Sequence, residues 1–204
     1  MPASPRRPAP RSDSLAWPGL CLALAAGSVA VWLTGSGPEL AWRATLWWQR
    51  PWTLWSASLA HLSGAHLLAN LVALLALALL GRFLRVGRGA TLAVLLAWPL
   101  ATLALLAWPQ VAVYSGMSGL LNAIAAVLWS QATLRDDCKA VSYVIFGALV
   151  LKLGSEHAWS QPIAFDPNWG FNVVYAAHFT GAVAGAASGL AVAAVVALRA
   201  KRRV

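Results

Sequence analysis

HFTGAVAGAASG, residues 178–189, sets Gly181, Gly185 and Gly189 at intervals of four inside an apolar run. On a helix that spacing makes one smooth stripe, and a small-xxx-small stripe lets two helix backbones approach closely in a membrane, where no hydrophobic force drives helices together. A second segment offers the counterpart: GMSGLLNA, residues 116–123, carries Gly119 and Ala123 at the same spacing. Docking the two stripes has a chemical consequence. His178 lies three residues before Gly181 on nearly the same face, and Ser118 immediately precedes Gly119, so the contact brings an imidazole up to a hydroxyl.

Composition agrees with a membrane setting. The chain is 60% hydrophobic and 10% charged, with a mean hydropathy of +0.67, against roughly 45–50% apolar and ~25% charged in soluble domains. Apolar stretches at about 17–34, 59–80, 90–107, 118–134, 139–154 and 173–198 predict six transmembrane helices in an all-α bundle, most of them near the ~20 residues that cross ~30 Å of hydrocarbon. The fifth is the shortest and carries Lys152. The first follows PRRPAPR, as a secretory signal would, but its apolar core exceeds the ~7–15 residues of a signal, and VAVWLTG offers no small-x-small cleavage site. It is read as a retained span.

The net charge of +9 follows the loops. Arg6, Arg7 and Arg11 precede the first span; Arg82, Arg85 and Arg88 separate the second from the third; Arg135 and Lys139 separate the fourth from the fifth; Arg199, Lys201, Arg202 and Arg203 follow the sixth. The opposite loops hold only Arg43 and Arg50. By the positive-inside rule both termini face the cytoplasm, and loops 35–58, 108–117 and 155–172 face outward. The basic residues thus report topology and contact with the anionic lipid bilayer, not nucleic-acid binding. Cys21 within the first span and Cys138 on the cytoplasmic side lie too far apart to pair.

The chain divides into a disordered Pro-, Arg- and Ser-rich tail at 1–14, one integral membrane domain at 15–199, and a basic tail at 200–204. Between the first two spans, Trp42, Trp47, Trp48, Trp52 and Trp55 crowd into one loop. Indole rings favour the headgroup level, so the segment is expected to lie in the outer interface as short helical pieces, either as an aromatic belt or as a structured element shaping lateral access.

Polar side chains on spans are costly and need a reason. His66 and Asn70, four apart, share a face of the second span; His61, at ~100° per residue, falls about 140° away from His66. Ser118 opens the fourth span and His178 lies about five residues into the sixth, so Ser118, His178, His66 and Asn70 all fall in the outer half. A serine hydroxyl becomes a nucleophile when a neighbouring base takes its proton, and neutral imidazole is the usual base near pH 7. Ser118 is the candidate nucleophile and His178 the candidate base. Asp13, Asp136 and Asp137 are placed on the cytoplasmic side, and Glu39, Glu156 and Asp166 in outer loops, so no carboxylate orients the imidazole and a dyad is expected. The Ser118 backbone N–H, at a helix N-terminus, with the His66 and Asn70 side chains, would receive an oxyanion.

Each element has a plainer reading. Gly-x-Ser-Gly is common at membrane helix contacts, and His66 with Asn70 suits interhelical hydrogen bonding. Leu120 stands where the soluble-hydrolase elbow G-x-S-x-G needs glycine. A zinc site from His61, His66 and His178 lacks H-E-x-x-H spacing, and His157 is read as a solvated loop residue. What favours chemistry is the convergence of Ser118, His178 and His66-x-x-x-Asn70 at one depth.

These residues resemble the rhomboid family of intramembrane serine proteases. HLSGAHLLAN matches that family's His-x-x-x-Asn element with an earlier histidine, GMSG its Gly-x-Ser-Gly, and AHFTGAVAG its Ala-His-x-x-Gly-x-x-x-Gly, in order across residues 59–198. The resemblance implies a six-helix bundle with a water-filled cavity opening outward, a Ser118–His178 dyad, an oxyanion hole from His66, Asn70 and the Ser118 N–H, and cleavage of membrane-anchored proteins near helix-breaking small residues without cofactor or metal. Two features depart from it: GRFLRVGRG is wholly basic where the family often has an acidic residue, and Asn122 stands where many members stack an aromatic on the histidine. Asn122 is then a candidate hydrogen-bond partner of the imidazole. Compact length, RPWTLWSASLAHLSGAHLLAN and VVYAAHFTGAVAG are most similar to the rhombosortase branch, whose members cut C-terminal Gly-Gly anchor tails from exported bacterial proteins. Asn122 departs there too, since that branch commonly has histidine at this place. The expected location is a bacterial inner membrane, with the site facing the periplasm. The competing classes are a catalytically inactive rhomboid-like protein that escorts clients and a small polytopic scaffold or transporter.

Overall fold

The computed structural model describes residues 15–201. α1 (Ala16–Thr34) leads through the short α2 (Gly37–Leu40), β1 (Trp42–Arg43), α3 (Thr53–Ser56) and a 3-10 turn (Ala57–Leu59) to α4 (Gly64–Phe83). α5 (Arg88–Leu103), β2 (Val113–Tyr114), α6 (Ser118–Thr133) and α7 (Lys139–Ser155) follow, then the hairpin strands β3 (Ala164–Asp166) and β4 (Phe171–Val173), and finally α8 (Tyr175–Lys201). Each apolar stretch becomes a helix. The tail expected at 1–14 lies outside the described residues, as do 202–204 of the tail expected at 200–204.

α4 begins later than its apolar run. Ser63 is extended and its side chain accepts the His66 N–H at 3.1 Å, which caps the helix there. His61 therefore precedes the helix instead of pointing away around it, and its ring packs edge-on to His66 with centroids 5.1 Å apart. The Trp-rich segment is also more than helical pieces: β1 pairs antiparallel with β2, placing Trp42 opposite Tyr114.

Among the described residues five helices are long and apolar enough to cross a membrane: α1, α4, α5 with its 3-10 extension, α7 with its preceding turn, and α8. α6 has 16 residues and is buried on all sides, with Leu120, Ile124, Val127 and Leu128 at its core. A short helix fits there because its neighbours, rather than lipid, surround it.

The glycine stripe does what its spacing predicts. A Cβ on Gly181 would collide with the Gly119 carbonyl oxygen, and one on Gly185 with the Ala123 carbonyl. A Cβ on Gly189 would strike the Ser130 side chain. Because two of the three obstacles are backbone, no rotamer change relieves them. Gly185→Leu is expected to lower stability by about 3 kcal/mol, the upper end for overpacking, read as an earlier thermal transition in tryptophan fluorescence of the detergent-solubilised protein.

The loops sort into two ends. At one end Gly116 N–H bonds the Ala57 carbonyl at 2.9 Å, Trp108 Nε1–H reaches the Trp159 carbonyl at 3.4 Å, and the β3–β4 hairpin folds against His66. At the opposite end the all-basic loop after α4 is held by Arg135, whose Nη1 donates to the Leu84 carbonyl at 2.6 Å. The loops that share a charge character thus also share an end.

Candidate active site

Ser118 is the first residue of α6, where backbone N–H groups have no intrahelical partner. The segment ahead of it is pinned from two directions. Tyr114, buried beside Trp42, donates its hydroxyl to the Gly116 carbonyl at 2.6 Å, and burial holds its phenol well above the ordinary value. Gly116 has φ 122°, a conformation that disfavours any side chain, and a Cβ there would lie 2.8 Å from the His66 ring. The tryptophan-rich segment is therefore divided by burial. Trp42, Leu54 and Ala57 are buried with Tyr114, whereas Trp48, Trp52 and Trp55 are exposed.

His178 arrives on the first turn of α8, carried by the glycine stripe. Its Nε2 is 2.8 Å from Ser118 Oγ, and only 3% of the residue is exposed. The Tyr175 ring sits beside it with centroids 5.9 Å apart, on its own helix. The expectation that no carboxylate reaches this imidazole is corrected. Glu156 Oε2 lies 2.7 Å from His178 Nδ1. The reason is geometric: the α7 backbone continues through a further turn, with Glu156 N–H bonded to the Lys152 carbonyl at 3.1 Å, so the residue after the helix is held at its end rather than released into a loop. Burial alone would raise the Glu156 carboxyl, but the His178 hydrogen bond and the Lys152 ammonium at 2.6 Å outweigh it and hold the group below its ordinary value. An ionised carboxylate only accepts, so Nδ1 carries the proton and Nε2 offers its lone pair to Ser118.

His66 and Asn70 are 9% and 5% exposed, yet among the described residues His66 Nδ1 and Asn70 Nδ2 have no hydrogen-bond partner. Buried orphan polar atoms are rare and call for an explanation such as a ligand. Asn70 and Ser118 line one cleft of about 490 Å³, which runs between α4 and α7 past Leu77, Ala148 and Lys152. Above it, Trp169 and Phe171 of the hairpin pack on His66 at centroid distances of 5.8 and 5.2 Å. Asn122 lines the same cleft but does not bond the imidazole: its Nδ2 donates to the Ser118 carbonyl at 2.9 Å, so the hydrogen bond expected of it is corrected to a backbone contact on its own helix. Among the described residues no three His, Cys, Asp or Glu side chains converge as metal ligands would.

Sequence reasoning missed Glu156 and the hairpin aromatics. For Glu156 a signal existed: Lys152 and Glu156 are four apart, a helical pair at the end of one apolar stretch, next to the start of the one that holds His178. Trp169 and Phe171 lie in a polar turn segment with no apolar period, and nothing local marks them.

Residues 48–195 match the family described as Rhomboid domain. Among curated proteins none matches the chain.

Proposed function

The chain belongs to the rhomboid family, generally intramembrane serine proteases, and on that premise we propose that it is an intramembrane serine endopeptidase with Ser118 as nucleophile and His178 as general base. The observation that carries this reading is the 2.8 Å contact between Ser118 Oγ and His178 Nε2. Ser118 Oγ attacks the scissile carbonyl carbon while its proton passes to His178 Nε2. The tetrahedral oxyanion collapses, the amine leaves with that proton, and water then hydrolyses the ester to regenerate the serine.

The unpartnered Asn70 Nδ2–H, and His66 Nδ1 in the tautomer that protonates it, suit the oxyanion. Asn70→Ala is expected to lower kcat about 10²-fold with little change in KM, as loss of one such donor does, measured as initial cleavage rates in proteoliposomes. Apart from Asn70, Ser118, Asn122 and Lys152, the cleft between α4 and α7 is lined by Ala, Leu, Val and Ile side chains, which suits an apolar anchor segment arriving from the bilayer. The protein would work in a bacterial inner membrane with both termini cytoplasmic and the site toward the periplasm, and its substrates would be exported proteins held by C-terminal Gly-Gly anchor tails. The test is a pair of anchored reporters, one with a Gly-Gly segment ahead of its apolar tail and one with uninterrupted leucine. Cleavage of the first alone supports the tail-specific reading. Cleavage of neither by folded protein counts against proteolysis and favours an escort role.

A further inference from the structure

Four side chains touch in series at the site end: Ser118, His178, Glu156 and Lys152. Glu156 Oε2 meets His178 Nδ1 at 2.7 Å and Oε1 meets Lys152 Nζ at 2.6 Å, while the other face of the same imidazole meets Ser118. The Glu156 side chain is 16% exposed and that of His178 4%. We propose that Glu156 is a positioning residue that converts the Ser118–His178 pair into a relay, with Lys152 as its counter-ion; this rests on the roles given above to Ser118 and His178. The family resemblance implies only the pair.

The physical case has two parts. First, an imidazole serves as base only if its proton sits on the nitrogen remote from the nucleophile, and a carboxylate on Nδ1 enforces that tautomer while fixing the ring plane. Second, the step that moves the serine proton to Nε2 creates an imidazolium at a buried residue, and an adjacent negative charge favours it. A lone carboxylate at the edge of a bilayer would tend to take up a proton and lose both effects. Here the His178 Nδ1–H bond holds it ionised, and the Lys152 ammonium, one helical turn away, adds to that effect. The remaining titratable groups around His178 are His66 from α4, Tyr175 on its own helix, and Asp166 of the hairpin beyond Tyr175. Among these groups Glu156 alone is an acid in direct hydrogen-bond contact with the imidazole.

The competing account is an ordinary i,i+4 ion pair at a helix end, which contributes little. The two accounts separate in the pH dependence of serine reactivity. The probe is a fluorescent fluorophosphonate: Ser118 Oγ forms a bond to phosphorus, fluoride leaves, and the serine proton goes to His178. Labelling rates are followed from acid to neutral pH on the detergent-solubilised full chain, with Ser118→Ala as the blank. Glu156→Gln is expected to slow labelling about 10²-fold, less than the ~10⁴-fold seen for a fully buried third-member carboxylate, and to move the acidic limb to lower pH, because a negative charge that favoured the imidazolium is gone. Lys152→Met is expected to slow labelling less than about tenfold and to move the limb the other way, because a positive charge that opposed the imidazolium is gone. Opposite displacements support the relay. Wild-type rate and an unmoved limb in Glu156→Gln, with wild type labelled and Ser118→Ala blank, overturn the relay and leave the nucleophile assignment standing. A folded wild type that takes no label overturns both. Should Glu156→Gln not fold, Lys152→Met decides, since it retains the Glu156–His178 bond: an unmoved limb there overturns the relay.

Discussion

Ser118→Ala is expected to abolish cleavage of an anchored substrate, a loss on the order of 10⁶-fold, while the thermal transition stays near that of wild type. The first half follows from chemistry: without Oγ no acyl-enzyme forms, and the oxyanion donors alone give only a residual rate. The second follows from placement. Ser118 is half-buried at the first position of α6, and among the described residues its hydroxyl bonds only the imidazole. Alanine is well accepted on a helix. The helix start is held elsewhere, by Tyr114 on Gly116 and by Gly116 on Ala57. Parallel measurement of initial rates and tryptophan-fluorescence unfolding separates loss of chemistry from loss of fold.

His178→Ala is expected to cost about as much in rate, on the order of 10⁶-fold, and the double variant with Ser118→Ala no more than either alone, because groups that act as one unit are not additive. Its effect on stability differs. The imidazole is 3% exposed and bonded on both sides. Removing it takes one partner from Glu156, which keeps Lys152, so a cost of about 1–3 kcal/mol is expected. The pattern to look for in the unfolding assay is a lower midpoint for His178→Ala than for Ser118→Ala, at equal loss of activity.

Much of this arrangement was readable in the chain because the membrane simplifies the physics. An apolar run long enough to span has few alternatives to a helix, so all six stretches could be marked, and α6 and α8 could be docked from Gly119, Ala123, Gly181 and Gly185 alone, since closest approach demands small residues. Depth did the rest. With the starts of α6 and α8 placed to within a residue or two, Ser118 and His178 had to meet. What could not be read lay at the ends of the helices. Whether Glu156 belonged to a helix or a loop depended on one extra turn beyond Ser155, and boundaries are set by local hydrogen bonds that apolar periodicity does not report. The same limit displaced His61, whose place depends on the Ser63 cap. β1 with β2, and β3 with β4, are pairs of two or three residues, too short for an alternating pattern, and they form because flanking helices bring their loops to one end.

The glycine substitution in the packing stripe and the loss of the Asn70 donor probe parts of the same design that lie away from the reacting atoms. One disturbs how closely α6 and α8 approach, the other what waits across the cleft. Neither identifies the nucleophile.

The most direct test of the central claim is to locate the adduct. Wild-type protein in detergent micelles is reacted with a fluorophosphonate, digested, and the modified peptide sequenced by mass spectrometry. A single phosphonylated residue at Ser118, absent in folded His178→Ala, is the predicted result. A folded wild type with no adduct, or an adduct on another serine, would contradict the assignment of Ser118 and His178 as nucleophile and base.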